Sequence, residues 1–455
     1  MEATLSRPVW PPKSEAISGF QNWLICWLLL PNLGFCLLWL VGGPGRFLPI
    51  FVTGSIGLAL HRAPFALRFG AFVAAFAYSL ISFVAGMFNL GAQSVIESLA
   101  FALEIDPTAS PQYLITGAAI LTTLFFAWGL LRRPSVLARP IFMILAMALT
   151  MGLATVDHLL AKASRGHYER VPEAGAFFSS ASTASGIEGI ATGERHLVMI
   201  MVESMGLPAD PEVRRRSYEL WARPEVRARY DVQFGATPYY GSTTSGEIRE
   251  LCGRWGDYAP LLERSDPACL PSALAAKGYQ SQAWHSFSGE MFDRTKWYPN
   301  IGFTRTRFGN QLRRGGAPVC PGVFPGACDW AVPAQIAETL KQAKQPQFLY
   351  WLTVNSHLPI LEDQQLGTQA CSDFDPQLAR QFPMICRLHQ IFDRTGQALA
   401  SEIMAADFPA TDILIVGDHI PPFFDRRHRT QFSHDRVPWI LLKAKAPERP
   451  GFDSI

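Results

Sequence analysis

The most constraining feature of this 455-residue chain is where its charges are missing. From Ser18 to Leu160 there are ten Asp, Glu, Lys and Arg residues in 143 positions, and after Leu160 there are 64 in 295. Soluble globular proteins carry about 25% charged residues, so the first segment calls for a different solvent from the second. Apolar runs lie at Phe20–Val41, Phe47–Leu60, Leu67–Leu90, Tyr113–Leu131 and Ile141–Leu160. About 20 apolar residues in a helix cross a hydrocarbon core of roughly 30 Å. All but the second run reach that length, and the second carries Pro49 and Gly54. The first run is too long for a signal core and is followed by more spans, so it reads as an uncleaved anchor.

Loop charge orients the spans. Arg7 and Lys13 precede the first, Arg62 and Arg68 lie between the second and third, and Arg132, Arg133 and Arg139 lie between the fourth and fifth. The loop after the third span holds Glu97, Glu104 and Asp106 with no Lys or Arg. Basic loops stay in the cytoplasm. Five spans place these basic loops inside and everything after Leu160 outside, whereas four spans break the pattern. The expected organisation is a cytoplasmic segment 1–17, a transmembrane domain 18–160 of five helices, a linker 161–195 and an extracytoplasmic domain 196–455. The stretch Gln93–Ile105 suits either an interfacial helix on the outer surface or a packed loop. Val171–Arg195, rich in Ala, Ser, Gly and Thr, reads as a flexible connector.

Cysteine usage agrees with an outward-facing domain. Cys26 and Cys36 fall in the first span, where they serve packing. The other six fall into sequence-close pairs, and an oxidising compartment permits the bridges Cys252–Cys269, Cys320–Cys328 and Cys371–Cys386. A net charge of +2 gives no reason to expect a nucleic-acid partner.

In the polar half, short apolar runs at His196–Val202, Phe348–Val354, Asp412–Val416 and Val437–Leu442 read as strands buried on both faces. Helical stretches at Ala331–Gln345 and Pro376–Ala405 intervene, which predicts an α/β domain with a mostly parallel sheet. Ligands of such sheets bind beyond the carboxyl ends of the strands. The polar residues there are Glu203-Ser204, Asn355-Ser356-His357 and Gly417-Asp418-His419. A carboxylate and an Asp-His pair from separate strands form an oxygen-plus-imidazole set suited to Zn2+ or Mn2+. Between the first two strands, Gly241-Ser-Thr-Thr-Ser-Gly246 places hydroxyls at the start of a helix. There a cation-activated nucleophile and an ordinary Ser/Thr helix cap are both open readings.

Glu203 after an apolar strand, Gly-x-Thr from Gly241 with Cys252-Gly253 beyond it, and the late Gly-Asp-His together resemble the alkaline-phosphatase/sulfatase superfamily. Within it the chain looks most like the membrane-anchored phosphoglycerol and phosphoethanolamine transferases, including lipoteichoic acid synthases. The resemblance implies an N-terminal five-helix transmembrane bundle followed by a sulfatase-like catalytic domain. It implies metal ligands at Glu203, Asp418 and His419, with Thr243 as both nucleophile and ligand and Thr244 beside it. It implies one divalent cation, Zn2+ or Mn2+, and leaves room for a second. Trp284-His285 through Phe292-Asp293-Arg294 resembles the head-group segment, which implies substrate contacts at His285, Phe292 and Arg294. His357 matches a substrate-contacting His that assists proton transfer, and His434 falls where some relatives carry one near a second metal. The implied donor is a phospholipid in the outer leaflet of a bacterial inner membrane, and the acceptor an envelope glycan or glycolipid. A membrane-anchored phosphodiesterase or phosphatase, or an inactive scaffold, remains an alternative. No cysteine begins a Cys-x-Pro-x-Arg motif, so the formylglycine chemistry of sulfate-ester hydrolysis is disfavoured.

Overall fold

The computed structural model describes residues 13–36, 44–87, 111–133, 135, 137, 139–164, 177–423 and 426–445. The described residues fall into two compact units, 13–164 and 177–445.

The first unit is helical: Lys13–Trp23, continued by a π-helical stretch Leu24–Leu29, then Phe47–Ala59, Phe65–Met87, Pro111–Leu130 and Pro140–Ser164. Among the described residues two helices, Phe65–Ala85 and Pro140–Leu160, are long and apolar enough to cross a membrane, and Phe47–Ala59 and Leu114–Leu130 are shorter apolar helices. The Pro111–Leu130 helix carries exposed Ile115, Leu121 and Phe125. Gly54 has a packing reason: a Cβ there would lie 2.4 Å from the Thr150 side chain, and one at Gly57 equally close to the Trp27 ring. Small residues of this kind let helices approach closely in lipid. The Arg46 guanidinium is buried and donates to Asn32 Oδ1 (2.8 Å) and Ser79 Oγ (2.6 Å). The stretch Gln93–Ile105 and the end of the first expected span lie outside the described residues.

The second unit is built on a seven-stranded sheet in the order β2-β9-β8-β1-β7-β3-β4. Its strands are β1 (His196–Val202), β2 (Tyr230–Pro238), β3 (Gln280–His285), β4 (Arg305–Arg307), β7 (Gln347–Leu352), β8 (Thr411–Gly417) and β9 (Arg436–Ala444), with β5 (Val319–Cys320) and β6 (Gly326–Ala327) forming a separate ribbon. β1, β7 and β8 are buried along nearly their whole length, as their unbroken apolar sequences require. β8, β1, β7, β3 and β4 run parallel, so their carboxyl ends share one edge. β9 differs from the rest, pairing antiparallel with both β8 and β2. Its Pro438 lies beyond the β8 pairing, which starts at Trp439, so the missing N–H removes no bond to β8.

Two expectations are corrected here. The described part of the Ala/Ser-rich stretch is packed rather than a free connector. It forms short helices at Ala181–Ala184 and Ile187–Ile190, with Ser182 buried. The physical cause is Glu250, whose carboxylate accepts from the backbone N–H of Ala181 (3.1 Å) and Ser182 (2.9 Å). The bridges Cys252–Cys269 and Cys320–Cys328 are formed, but Cys371 and Cys386 are free thiols. Cys386 Sγ instead donates to the Cys371 carbonyl at 2.7 Å.

Candidate metal and nucleophile site

Because β8, β1 and β7 are parallel neighbours, the residues just past their ends are brought to one place. Glu203, Asp418 and His419 each present a donor atom within 4.8 Å of the others. All three are buried. The backbone is shaped for this: Ser204 takes a left-handed φ of 57°, turning the chain sharply after Glu203. Its N–H donates to Asp418 Oδ1 (2.8 Å) and its hydroxyl to Glu203 Oε1 (2.9 Å). β7 contributes Thr353 Oγ1, which accepts from the Glu203 N–H (2.9 Å), and Ser356, whose hydroxyl donates to the Glu203 carbonyl (2.6 Å). Gly417 is required by a close approach, since a Cβ there would stand 2.1 Å from the Met205 carbonyl oxygen.

Thr243 opens the Thr243–Cys252 helix and is partly exposed. Its hydroxyl donates to Glu203 Oε2 at 3.1 Å and lies 3.2 Å from His419 Nε2. The ordinary cap reading does not hold, because the N-cap residue Ser242 makes no side-chain capping bond. Ser242 Oγ instead meets Thr244 Oγ1 at 3.1 Å. Thr244 is fully buried, so the expected substrate contact at that position is not available. Gly246 allows the helix to reach the cluster, as its Cβ would sit 3.1 Å from Asp418 Cα.

Burial alone would push Glu203 up, but His419, His357 and hydrogen bonds from Ser204 and Thr243 hold its carboxyl below the usual range. Asp418 is pushed up to about 7 by burial and by the Glu203 charge. Burial would lower His419, yet Asp418 and Glu203 hold it above its ordinary value. Asp418 Oδ2 is buried without a well-formed hydrogen bond and lies 3.3 Å from His419 Nε2. Two buried carboxylates, an imidazole and an unsatisfied oxygen form a set that a divalent cation would satisfy. The other cluster of potential metal-binding groups among the described residues, Cys252, Asp266 and Cys269, is ruled out because its cysteines are bridged.

The remaining expected contacts divide. His357 is close enough to Glu203 and His419 to feel their charges, and burial lowers its imidazole. Its Nδ1 faces the Leu358 carbonyl at 2.8 Å and its ring meets Phe324 edge-on at 4.5 Å. His285 ends β3 with Nδ1 3.1 Å from the Leu352 carbonyl, and burial together with Arg294 holds it well below its ordinary value. Phe292 is partly exposed with a left-handed φ of 58°, and the Arg294 guanidinium stands 5.3 Å from its ring. Arg294 itself is not presented to the cleft. It is 1% exposed, and its Nε and Nη2 donate to Glu247 Oε2 at 3.1 and 2.9 Å. Tyr298 (2.5 Å) and Tyr350 (3.1 Å) complete the Glu247 shell through Oε1. His434 is also apart from the cluster, with its side chain 80% exposed beside Asp435.

Two supporting groups carry no motif. Arg249, buried on the nucleophile helix, donates from Nη1 to the Asp418 carbonyl (3.0 Å) and from Nη2 to the Gly417 carbonyl (2.7 Å). Its Nε pairs with Glu250 at 2.6 Å, so one ion pair links the Asp418 backbone to the segment at Ser182. Asp329 accepts from the N–H of Asn355 (2.7 Å) and Val354 (3.1 Å), clamping the loop that carries Ser356 and His357. The Arg in the last turn of a helix begun by Gly-x-Thr was the only available signal for Arg249. Asp329 had none.

A sheet-edge cluster of two carboxylates and a histidine around a helix-terminal threonine is a donor set suited to holding a divalent cation beside a hydroxyl. Residues 195–446 match the family model described as Sulfatase, and the chain belongs to that family. No curated protein matches the sequence. Similar solved structures include the lipoteichoic acid synthase LtaP from Listeria monocytogenes (16% identity, 58% of this chain and 68% of that one, TM-score 0.42). Another is the Streptococcus pyogenes phosphoglycerol transferase GacH in complex with sn-glycerol-1-phosphate (16% identity, 59% and 78%, TM-score 0.37). The lipooligosaccharide phosphoethanolamine transferase EptA from Neisseria meningitidis is similar over 96% of this chain and 90% of its own (11% identity, TM-score 0.46).

Proposed function

We propose that the protein is a transferase of the cell envelope. It moves the head group of an outer-leaflet phospholipid, phosphoglycerol or phosphoethanolamine, to a glycan or glycolipid through a phosphothreonine at Thr243. The observation that carries this reading is the position of the Thr243 hydroxyl, within 3.2 Å of both Glu203 and His419 and at the start of a helix. Glu203, Asp418 and His419 would hold a Zn2+ or Mn2+ ion, with Thr243 completing the set. Bound there, the cation lowers the pKa of the hydroxyl and polarises a phosphoryl oxygen.

In the first half-reaction Thr243 Oγ1 attacks phosphorus, a Thr–O–P bond forms, and the bond to the diacylglycerol oxygen breaks. The proton released by Thr243 Oγ1 passes through His357, whose Nδ1 faces the Leu358 carbonyl, to that leaving oxygen. The positive end of the Thr243–Cys252 helix faces the charge that develops on the phosphoryl oxygens. In the second half-reaction an acceptor hydroxyl attacks phosphorus and Thr243 is regenerated. The organisation proposed for this chemistry is a five-span domain over 18–160 and an extracytoplasmic catalytic domain over 196–455, consistent with the basic loops at Arg62, Arg68, Arg132, Arg133 and Arg139. The packed helices at Ala181–Ala184 and Ile187–Ile190 go with the catalytic domain.

The test is intact-protein mass spectrometry of the full chain, in detergent with Zn2+ or Mn2+, after exposure to mixed phospholipids. A phosphoglycerol or phosphoethanolamine increment absent from Thr243→Ala supports the reading and names the head group. Full lipid turnover by Thr243→Ala would overturn it. Release of free head group without any dependence on a glycan acceptor would assign a phosphodiesterase instead.

A further inference from the structure

A cleft of about 640 Å3 opens beyond the carboxyl ends of β3 and β4. Its floor is Ser286–Gly289, immediately after His285, and its walls come from Thr306–Arg313 and Pro325–Gly326. Gly309 and Gly326 keep the floor and walls in close contact, since a Cβ at either would lie within 2.6 Å of the Ser286 carbonyl oxygen. Among the described residues, Thr295, Thr306 and Asn310 line the cleft without committing their side chains to any hydrogen bond in the protein. The polar half of the lining is therefore mostly neutral hydroxyl and amide groups, with a single arginine, Arg313, and a single carboxylate, Glu290, while Phe287 and Phe308 supply apolar faces. Such a lining suits a neutral polyol better than an acyl chain or a polyanion, and the volume falls within the ~300–1,000 Å3 typical of ligand sites.

Packed rings lie between the cleft and the nucleophile site. Phe287 in its floor packs on Phe324 at 5.3 Å, and Phe324 packs on His357 at 4.5 Å. Only β7 separates β3 from β1, which places the cleft roughly 10 Å along the sheet edge from Glu203.

We propose that this cleft is the acceptor subsite and that it holds a neutral oligosaccharide. The inference rests on the transferase reading above. The terminal sugar extends past Phe324 to His357, and its hydroxyl oxygen attacks the phosphothreonine phosphorus. The new phosphorus–oxygen bond to the sugar forms as the bond to Thr243 Oγ1 breaks. The hydroxyl proton passes through His357 to the released Thr243 oxygen.

Two measurements on the full-length protein in detergent separate this assignment from the reading beneath it. The first is saturation-transfer NMR of a neutral gluco-oligosaccharide, maltohexaose, on Thr243→Ala protein, which cannot be charged. Binding is expected, and adding Asn310→Trp, an exposed rim position, should abolish it. The second follows loss of the Thr243 adduct on adding the same sugar. Asn310→Trp and Thr306→Val should charge at the wild-type rate but lose sugar-dependent discharge at least tenfold. Unchanged sugar binding and discharge in both variants would overturn the subsite. Binding lost in Asn310→Trp while wild-type protein never forms an adduct would leave the carbohydrate site standing and remove the transferase reading.

Discussion

Arg294 and Glu247 lend themselves to a double-mutant cycle, because the geometry specifies what each single substitution leaves behind. Glu247 sits four residues after Thr243 on the same helix and receives donors from Arg294, Tyr298 and Tyr350, all buried. Glu247→Gln leaves the guanidinium without its counter-charge, and Arg294→Met leaves a carboxylate facing only two phenols. Breaking a buried pair from one side costs about 3–5 kcal/mol. At about 2–4 °C per kcal/mol for a domain of this size, each single variant should melt roughly 6–20 °C lower. The double variant removes both charges, so its loss should fall at least ~2 kcal/mol short of the sum. Thermal unfolding of the four proteins in one detergent reads the cycle. Adduct formation on Thr243 gives the second axis. If Arg294 acts by holding the helix, the folded double variant should charge within about tenfold of wild type. Additive losses would refute the coupling. A kcat loss of about 10²–10³-fold in the double variant, the size expected when a transition-state donor is removed, would return Arg294 to the phosphate.

Arg249→Met should lower stability by about 3–5 kcal/mol and weaken metal binding about 10–100-fold, measured by calorimetric titration, because the Asp418 carbonyl and Glu250 lose a shared donor. Arg249→Lys should rescue little, since an ammonium cannot reach Gly417, Asp418 and Glu250 together. Burial pushes Asp329 up to about 6 from 3.8. A raised carboxyl favours the protonated fold, so its contribution is complete below about pH 4, declines by about 3 kcal/mol as pH rises to about 6, and is flat above. Melting curves from pH 4 to 8 should show a decline smaller by that amount in Asp329→Asn than in wild type, the remainder belonging to the raised Asp418. Adding Zn2+ or Mn2+ at about 100 times its Kd to chelator-treated protein should add about 2.7 kcal/mol and raise Tm, with no increment in Asp418→Asn. Cys252→Ser with Cys269→Ser opens a loop with sequence separation 17 at the end of the nucleophile helix and should cost about 3 kcal/mol by denaturant titration.

The positions of the candidate ligands were legible because each depends on residues next to it in the chain. An apolar run such as His196–Val202 has to be buried on both faces, and the first polar residue after it has to stand at a sheet edge. That rule locates Glu203, Asn355, Asp418 and His419 without knowledge of strand order. Gly241 through Gly246 marks the start of the nucleophile helix for the same local reason. The rule is silent on direction, because burial on both faces does not set it, and β9 runs antiparallel to β8.

Charge distribution and apolar run length, properties of neighbouring residues alone, divided the chain into an apolar half and a polar half and placed polar residues at three strand ends. Which distant polar groups would share a dry interior was not written locally. Arg294 closes on Glu247 rather than on the cleft, Arg249 holds the Asp418 carbonyl, Thr244 turns to Ser242, and Cys386 donates to a carbonyl instead of bridging. Those outcomes rest on sub-ångström placement of side chains brought together across long stretches of chain. In a low-dielectric interior that placement decides which partner each charge or donor takes, and only the packed fold supplies it.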